Sequence, residues 1–481
     1  MAYSPSSAAE SSKPIAVDLD GTLVKTDTLI ELLLRLTRRD GWAVVKSIWW
    51  LSKGKANFKN QVTKRVKINI ATLPYRSVVL DWLVEQNKTG REIWLVTASE
   101  EGMARQVAAH LGIFAGVMGT QAGINLAGKN KAKALVEKFG RKGFDYIGNS
   151  RSDLVIWEKA DRAHVVTNSR GLVRQVTNLT ELGNVWAARE KTGKYIGLAL
   201  RPHQWVKNLL LLIPMLADHQ LNWTVGSKAS LGVLVFCLVA SAIYLINDMF
   251  DLEADRLHPT KKYRPFAAGD LSIGQGVGIA ALLLVVGAWL AGQLGDDLAK
   301  IVMIYFLLNL CYSLGAKQVV LFDVIILAVL YGLRILAGGA VANIIVSDWL
   351  MALILFLALS GALMKRFIEL NRMHGLAVNG SLSGRGYTSR DIPLVGQMGM
   401  TSGFLAVLVM ALYINSTQVN RLYQHPEYWW LVALLLLYGV SRGWLFAYRG
   451  KIDDDPIVYI VRDPIYYWIM GLTIILALLA I

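Results

Sequence analysis

Apolar positions follow two different rhythms along this chain. From about residue 190 onward, apolar runs of about twenty residues recur, the length a helix needs to cross a bilayer. They fall near 197–217, 227–247, 272–293, 298–315, 319–341, 348–366, 394–415, 428–447 and 464–481, which predicts nine transmembrane helices. Before residue 190 the apolar runs are short. Those opening Ile15–Val24, Glu92–Ser99 and Phe144–Asp153 read as buried strands separated by helical patterns, which predicts a parallel α/β sheet with ligands at the carboxyl ends of its strands. The expected layout is therefore a disordered tail over 1–13, an α/β domain over 14–183 with a helical cap at about 27–90, a linker over 184–194, and an all-α polytopic membrane domain over 195–481.

Composition supports this division. Of 481 residues, 54% are hydrophobic and only 18% charged, too apolar for an ordinary soluble enzyme. The polar start MAYSPSSAAESSKP is no signal peptide, so the N-terminal domain is expected to stay in the cytoplasm. On that orientation the cytoplasmic loops carry Arg256, Lys261, Lys262, Arg264, Lys317, Lys365, Arg366, Arg372, Arg385, Arg390, Arg449, Lys451 and Arg462, against Lys228, Lys300 and Arg421 outside. Basic loops facing anionic lipid explain the net charge of +15 without nucleic acid. Cys237 and Cys311, each within an apolar run, offer neither a disulfide framework nor a zinc site.

Candidate chemistry concentrates in three places. In Ile246–Leu271 the acids Asp248, Asp251 and Asp255 follow Asn247 and would line one face of a continuing helix. Hard oxygen ligands converging beside a membrane suit Mg²⁺, which suits a diphosphate. Arg256, Lys261, Lys262 and Arg264 follow and would neutralise further phosphate charge, although a charged loop capping a membrane helix is the plain alternative. Second, ionisable or polar groups mark the spans: Arg201, Gln204, Lys207 and Asn208; Asn309, Tyr312, Lys317 and Asp323; Arg334; and Lys365, Arg366 and Glu369. Snorkelling to the interface is the alternative for Lys207, Lys365 and Arg366, and the preferred reading for any one of them alone. Arg334 lies eleven residues past Asp323 on the same helix face, so a site role or pairing with Asp323 are its two readings. Arg385, Tyr387, Asp455 and Asp463, on loops, are weaker candidates for a sugar phosphate.

Third, Asp18 and Asp20 end the first strand, two residues apart, followed by Gly21 and Thr22. One carboxylate there can attack phosphorus while the other handles the proton. Thr97 and Ser99 end the second predicted strand, Lys131 follows, and Asn149 and Asp153 end the third. Within the cap, Trp42, Trp49 and Trp50 accompany Lys46, Lys53, Lys55 and Lys59. That combination suits a headgroup surface or the membrane domain, or equally a helix packed on its own domain.

Over residues 14–180 these four motifs, in order, resemble the haloacid dehalogenase phosphatase superfamily. The resemblance implies Asp18 as nucleophile, Asp20 as general acid/base, Thr97 and Lys131 as phosphate holders, and Mg²⁺ on Asp18, Asp20, Asn149 and Asp153. Asn149 stands where that superfamily usually has an aspartate.

Residues 195–481, with the LRPHQWVKN opening and the Asn247 to Asp255 pattern, resemble the UbiA superfamily of intramembrane prenyltransferases. Four stretches resemble its decaprenyl-phosphate phosphoribosyltransferase branch: Arg201–Asn208, Tyr312–Asp323, Leu333–Gly339 and Lys365–Leu370. The resemblance implies Mg²⁺-dependent transfer of phosphoribosyl from phosphoribosyl pyrophosphate to a polyprenyl phosphate. The donor diphosphate would lie on Asp248, Asp251 and Asp255 with Asn247. The acceptor would lie on Lys207, Lys317, Arg334 and Lys365, in a multi-pass bacterial plasma-membrane protein that is compatible with a homo-oligomer. Removal of the product's 5-phosphate by the N-terminal domain is the expected second step. The rivals are a prenyl diphosphate transferase with a small acceptor, which the single acid Asp323 disfavours, and a non-enzymatic carrier with a degenerate phosphatase module.

Overall fold

In the computed structural model, residues 12–121, 123–188, 192–375, 386–417, 419–452 and 456–481 are described. The chain divides into two compact units, one of residues 1–200 with 244–279 and one of residues 201–243 with 280–481. Most of the expected 1–13 tail lies outside the described residues.

The first unit is built on a six-stranded parallel sheet: β1 (Ile15–Val17), β2 (Ile93–Glu100), β3 (Gly116–Thr120), β4 (Asp145–Gly148), β5 (Arg162–Val166) and β6 (Glu181–Trp186), in the order β3-β2-β1-β4-β5-β6. β1 is fully buried at the centre, with Ile15 in register with both Ile93 and Asp145. The order reverses direction between β1 and β4, so the crevice at their carboxyl ends is the switch point at which α/β sheets bind ligands. β6 carries the sheet past the expected boundary at 183, into the stretch expected to be linker.

The cap region is helical as expected: α1 (Thr28–Arg39), α2 (Gly41–Ser52) and α3 (Lys55–Arg65), followed by α4 (Ser77–Lys88) leading into β2. Asp27 caps α1 through the backbone N–H groups of Leu29 and Ile30, and Asp40 stops α1 while capping α2. Leu32, Leu36, Trp50, Phe58 and Val62 bury into one cluster with Ile15, Leu19 and Val79, so cap and sheet share a core. Trp42, Ile48, Trp49 and Leu51 remain exposed on α2, while Ala43 and Trp50 pack on its own domain. The sheet is also flanked by α5 (Glu101–Leu111) and α6 (Lys129–Phe139).

Among the described residues, seven helices are long and apolar enough to cross a membrane: Trp223–Phe250 (α7), Ile273–Leu294, Asp296–Leu314, Phe322–Ala342 (α9), Asp348–Arg372, Ser389–Ile414 and Tyr428–Tyr448. Two of the nine expected spans differ. Pro464–Ala480 is apolar but only 17 residues long. The 197–217 run is not one helix: Thr192–Leu200 ends at Arg201, which adopts φ +52, and Pro202 then opens a 3₁₀ segment to Leu212. A proline without an N–H, following a left-handed residue, cannot continue an α-helix. In the second unit, Gly338 lets α9 meet this 3₁₀ segment, since a Cβ there would lie 2.1 Å from the Leu211 carbonyl oxygen.

The acidic segment also departs from a straight helix. α7 ends at Phe250, Asp251 caps a short helix α8 (Leu252–Leu257), and the chain turns through Gly269, at φ +73, before Ile273. The three acids therefore do not line one continuous face.

Candidate functional sites

In the first unit, Asp18 follows β1 directly and accepts a 2.7 Å bond from Lys131 Nζ, which reaches it from the first turns of α6. Lys131 also donates to the Tyr146 hydroxyl at 3.2 Å, and Tyr146 in turn donates to Asp153 Oδ1 at 3.2 Å. The other Asp153 oxygen takes the N–H groups of Asn149 and Ser150 and the Ser150 hydroxyl at 3.0–3.1 Å, which fixes the turn after β4. Burial raises the Asp18 carboxyl to about 6; Lys131 opposes the shift, and the charges of Asp153 and Asp20 add to it. Gly21, at φ +74, brings the backbone under Asn149, where a Cβ would stand 2.1 Å from the amide nitrogen.

Asp20 is held in place by two donors, the Thr28 backbone N–H at 2.8 Å and the Ser99 hydroxyl at 2.6 Å. Ser99 shares a further 3.0 Å hydrogen bond with Thr28 Oγ1. Thr97 is fully buried, and its hydroxyl accepts the Ser99 N–H at 3.0 Å. The sequence offers no signal for Tyr146 or Thr28 here, and Lys59 reads there as part of the cap's basic, tryptophan-bearing surface. Lys59 extends from cap helix α3 to the Ala98 carbonyl at 2.6 Å and Asn125 Oδ1 at 2.9 Å. Burial lowers its ammonium while Asp20 and Asp27 pull it back up, so a cap-borne cation lies within electrostatic reach of Asp20.

In the acidic segment, Asp248 and Asp255 are nearly buried and converge on one nitrogen, Arg264 Nη1, at 3.1 and 2.8 Å. Burial raises the Asp255 carboxyl, Arg264 lowers it, and Asp248 raises it again. Asp251 turns instead to Arg38, at 3.4 Å. Arg256 is committed to Glu31 through two bonds of 2.6 and 2.9 Å, not aimed at an open phosphate site. Lys262 lies 5.2 Å from the Tyr263 ring, and Asn247 accepts the Asp251 N–H on its carbonyl. Among the described residues, no three His, Cys, Asp or Glu side chains meet at metal-binding distance. The donor chemistry nonetheless fits Mg²⁺: two carboxylates share a single cationic nitrogen in the acidic segment, and the Asp153 charge adds to the cost of ionising Asp18 in the sheet crevice.

In the second unit, two buried polar clusters stand on α9 and on α10 (Asp348–Gly375). Arg334 donates to Asn208 Oδ1 at 3.0 Å, to the Tyr305 hydroxyl at 2.8 Å and to the Leu330 carbonyl at 2.6 Å. It does not pair with Asp323, because eleven residues of helix separate the two by about 16 Å along the axis. Asp323, fully buried, instead takes Arg366 Nε at 2.6 Å and the Tyr387 hydroxyl at 2.7 Å. Arg366 also reaches Glu369 at 2.5 Å and Tyr312 at 3.2 Å, so five of the predicted residues, Arg366 and Tyr387 included, form one network. Arg201 is the left-handed residue before the 3₁₀ segment, and Lys317 lies in a short 3₁₀ turn after Asp296–Leu314. Arg385 and Asp455 fall outside the described residues. Asp463 bonds Arg442 and Tyr459 at 2.8 and 2.6 Å.

A cavity of about 510 Å³ in the same unit is lined almost wholly by apolar side chains such as Leu327, Leu357, Leu436 and Trp444. Among its lining residues the charged ones are Lys207 and Lys365. A long apolar space with two ammonium groups in its wall suits an amphiphile with an anionic head.

A family model described as the UbiA prenyltransferase family matches residues 210–470, and one described as haloacid dehalogenase-like hydrolase matches residues 15–156. The uncharacterized protein y4nM of Sinorhizobium fredii is 33% identical over 468 residues, 95% of this chain and 89% of that one. The nodulation protein NoeC of Azorhizobium caulinodans is 33% identical over 281 residues, 58% of this chain and 90% of its own. The decaprenyl-phosphate phosphoribosyltransferase of Corynebacterium glutamicum is 35% identical over 255 residues, 51% of this chain and 76% of its own. With its apolar helices and this match over more than half its length, the chain is a multi-pass membrane protein that belongs to the UbiA prenyltransferase family and carries a haloacid dehalogenase-like domain at its N-terminal side.

Proposed function

We propose that the membrane part transfers 5-phosphoribosyl from phosphoribosyl pyrophosphate to a polyprenyl phosphate, and that the N-terminal domain then removes the 5-phosphate. The apolar cavity with Lys207 and Lys365 in its wall is the observation that carries the transferase reading, because it matches an isoprenoid chain ending in phosphate. The phosphoribosyltransferase named among the relatives points the same way.

Asp248 and Asp255, with Asp251, would hold Mg²⁺ on the donor, and bound Mg²⁺ would stabilise the departing diphosphate. The bond from the anomeric carbon to the diphosphate oxygen breaks, and the diphosphate leaves with the electron pair. An acceptor phosphate oxygen, positioned by Lys207 and Lys365, forms the new bond to that carbon. The acceptor is already an anion, so no general base is required, and catalysis rests on orientation and charge.

In the N-terminal domain, Asp18, Asp153 and Asn149 would hold a second Mg²⁺. Asp18 attacks the phosphorus of the 5-phosphate while Lys131 and Thr97 orient it, and Asp20 gives its proton to the departing ribose oxygen. A water then opens the aspartyl-phosphate as Asp20 takes a proton back.

The test for the transferase step is a donor competition in nanodiscs. Purified protein, Mg²⁺ and polyprenyl phosphate receive phosphoribosyl pyrophosphate labelled on ribose, and in parallel a labelled prenyl diphosphate with small acceptors. Ribose label in lipid supports the proposal. Label from the prenyl diphosphate alone would replace it with a prenyl transfer.

A further inference from the structure

Cap helix α1 places Glu31, Arg35 and Arg38 at i, i+4 and i+7, one stripe along its surface. The acidic segment, part of the same compact unit, offers Asp251, Glu253 and Arg256. The two sets meet one to one in antiparallel order. Glu31 takes both terminal nitrogens of Arg256 at 2.9 and 2.6 Å, with the two side chains only 4% and 6% exposed. Arg35 pairs with Glu253. Arg38 donates to Asp251 and to the Phe250 carbonyl, each at 3.4 Å.

Two further contacts close the arrangement. Lys25, just before α1, pairs with Asp270 at 2.9 Å. Arg256 Nε donates to the Ala267 carbonyl at 3.0 Å, so the residue that grips the cap helix also ties the start of the acidic segment to its end. A stripe reading negative, positive, positive thus faces one reading positive, negative, negative. Sliding either element by one helical turn would set like charges opposite and strand the buried Glu31–Arg256 pair, which is how charge patterns select a register.

We propose that this charge register is a clamp through which the N-terminal domain positions the acidic segment, making Glu31, Arg35 and Arg38 positioning residues for the transferase. The proposal rests on the reading that Asp248, Asp251 and Asp255 hold the metal-bound donor diphosphate. Arg38 and that metal draw on the same carboxylate, Asp251, so the cap sets the place of one ligand. The N-terminal domain then serves the transferase through its cap, separately from any chemistry at Asp18.

The test uses the full chain in nanodiscs, following initial transfer rate against Mg²⁺ concentration and amide exchange over residues 251–271. Arg35→Glu and Glu253→Arg are made singly and together, the pair being partly exposed. Each single variant is expected to raise the Mg²⁺ needed for half-maximal rate by about fivefold or more and to speed exchange in the segment. The double variant is expected to return both to within about twofold of wild type. Glu31→Gln, which keeps the shape and removes the charge, is expected to give the larger effect. Wild-type Mg²⁺ dependence and exchange in all single variants would overturn the clamp, as would a loss that the double variant fails to repair. A wild-type chain that transfers no ribose sinks the transferase reading instead, and the exchange rates alone then decide whether the clamp exists.

Discussion

His164 is fully buried on β5 between Trp82 and Trp186, with Nδ1 accepting the Asn184 N–H at 3.0 Å and Nε2 without a partner among the described residues. Burial, with Arg91 and Arg162 nearby, lowers its imidazole to about 3. Between that value and the ordinary value near 6.5, the unfolded chain binds a proton that the folded domain refuses. Its contribution to stability is therefore intact above about pH 6.5 and drains away as pH falls toward 3, amounting to about 3 kcal/mol by pH 4.5. Denaturant unfolding followed by tryptophan fluorescence should lose that much more between pH 7 and 4.5 in wild type than in His164→Gln; parallel losses would contradict it.

Lys59 is a second residue with a defined expectation. Lys59→Ala should raise KM for a phosphomonoester by about tenfold with a much smaller change in kcat, since the lysine supplies positive charge near Asp20 while its hydrogen bonds go to Ala98 and Asn125 and not to Asp18 or Asp20. Steady-state kinetics of phosphate release would show this, and an equal fall in kcat would argue against it. Asp18, Asp20 and Lys131 were legible because each sits at a fixed offset from a strand or helix end. Lys59 and Thr28 were not, because partners such as Ala98 and Ser99 lie 39 and 71 residues away and depend on how the cap folds over the sheet.

At the scale of elements, α9 and α10 are joined through Asp323 and Arg366, both almost wholly inaccessible. Arg366→Ala removes the guanidinium from a buried carboxylate that Tyr387 also bonds and should destabilise the helical unit by about 3–5 kcal/mol. Thermal unfolding in detergent should register the loss, and replacing Asp323 by Asn in the same chain should recover part of it. A variant with unchanged midpoint would mean that the network is not structural.

Hydropathy located the helices well but could not see their interruptions. The 197–217 run reads as a span because Pro202 and Arg201 are only two residues in a long apolar average, yet they end the helix there. Likewise, the spacing of Asp248, Asp251 and Asp255 suggested one face, whereas the backbone bends at Asp251 and gives two of the acids to Arg264 and the third to Arg38. The exposed stripe of Trp42, Ile48 and Trp49 beside Lys46 and Lys53 on and after α2 is a local pattern that survives folding. Replacing both tryptophans with Ser should weaken contact of the cap with anionic nanodisc lipid, read as lost quenching by brominated acyl chains. Unchanged quenching would assign the stripe to another surface.

At the scale of the whole molecule, the division into two units does not follow the division into soluble and membrane sequence. Residues 244–279 belong with the sheet domain by contact although they continue a membrane helix by sequence. That partition was invisible to hydropathy, which ranks residues by the solvent they prefer and not by the side chains they pair with. It gives the fused arrangement a physical rationale: one chain holds the domain proposed to trim the 5-phosphate and the charge register proposed to place the donor acids.

The central claim is that a single chain both attaches phosphoribose to a lipid phosphate and removes its 5-phosphate. The most direct measurement is the mass of the ribose-labelled lipid made by wild type and by Asp18→Asn from phosphoribosyl pyrophosphate, polyprenyl phosphate and Mg²⁺. The account predicts polyprenyl phosphoryl ribose without its 5-phosphate from wild type and the 5-phosphorylated lipid from the variant. The same lipid from both proteins would contradict it.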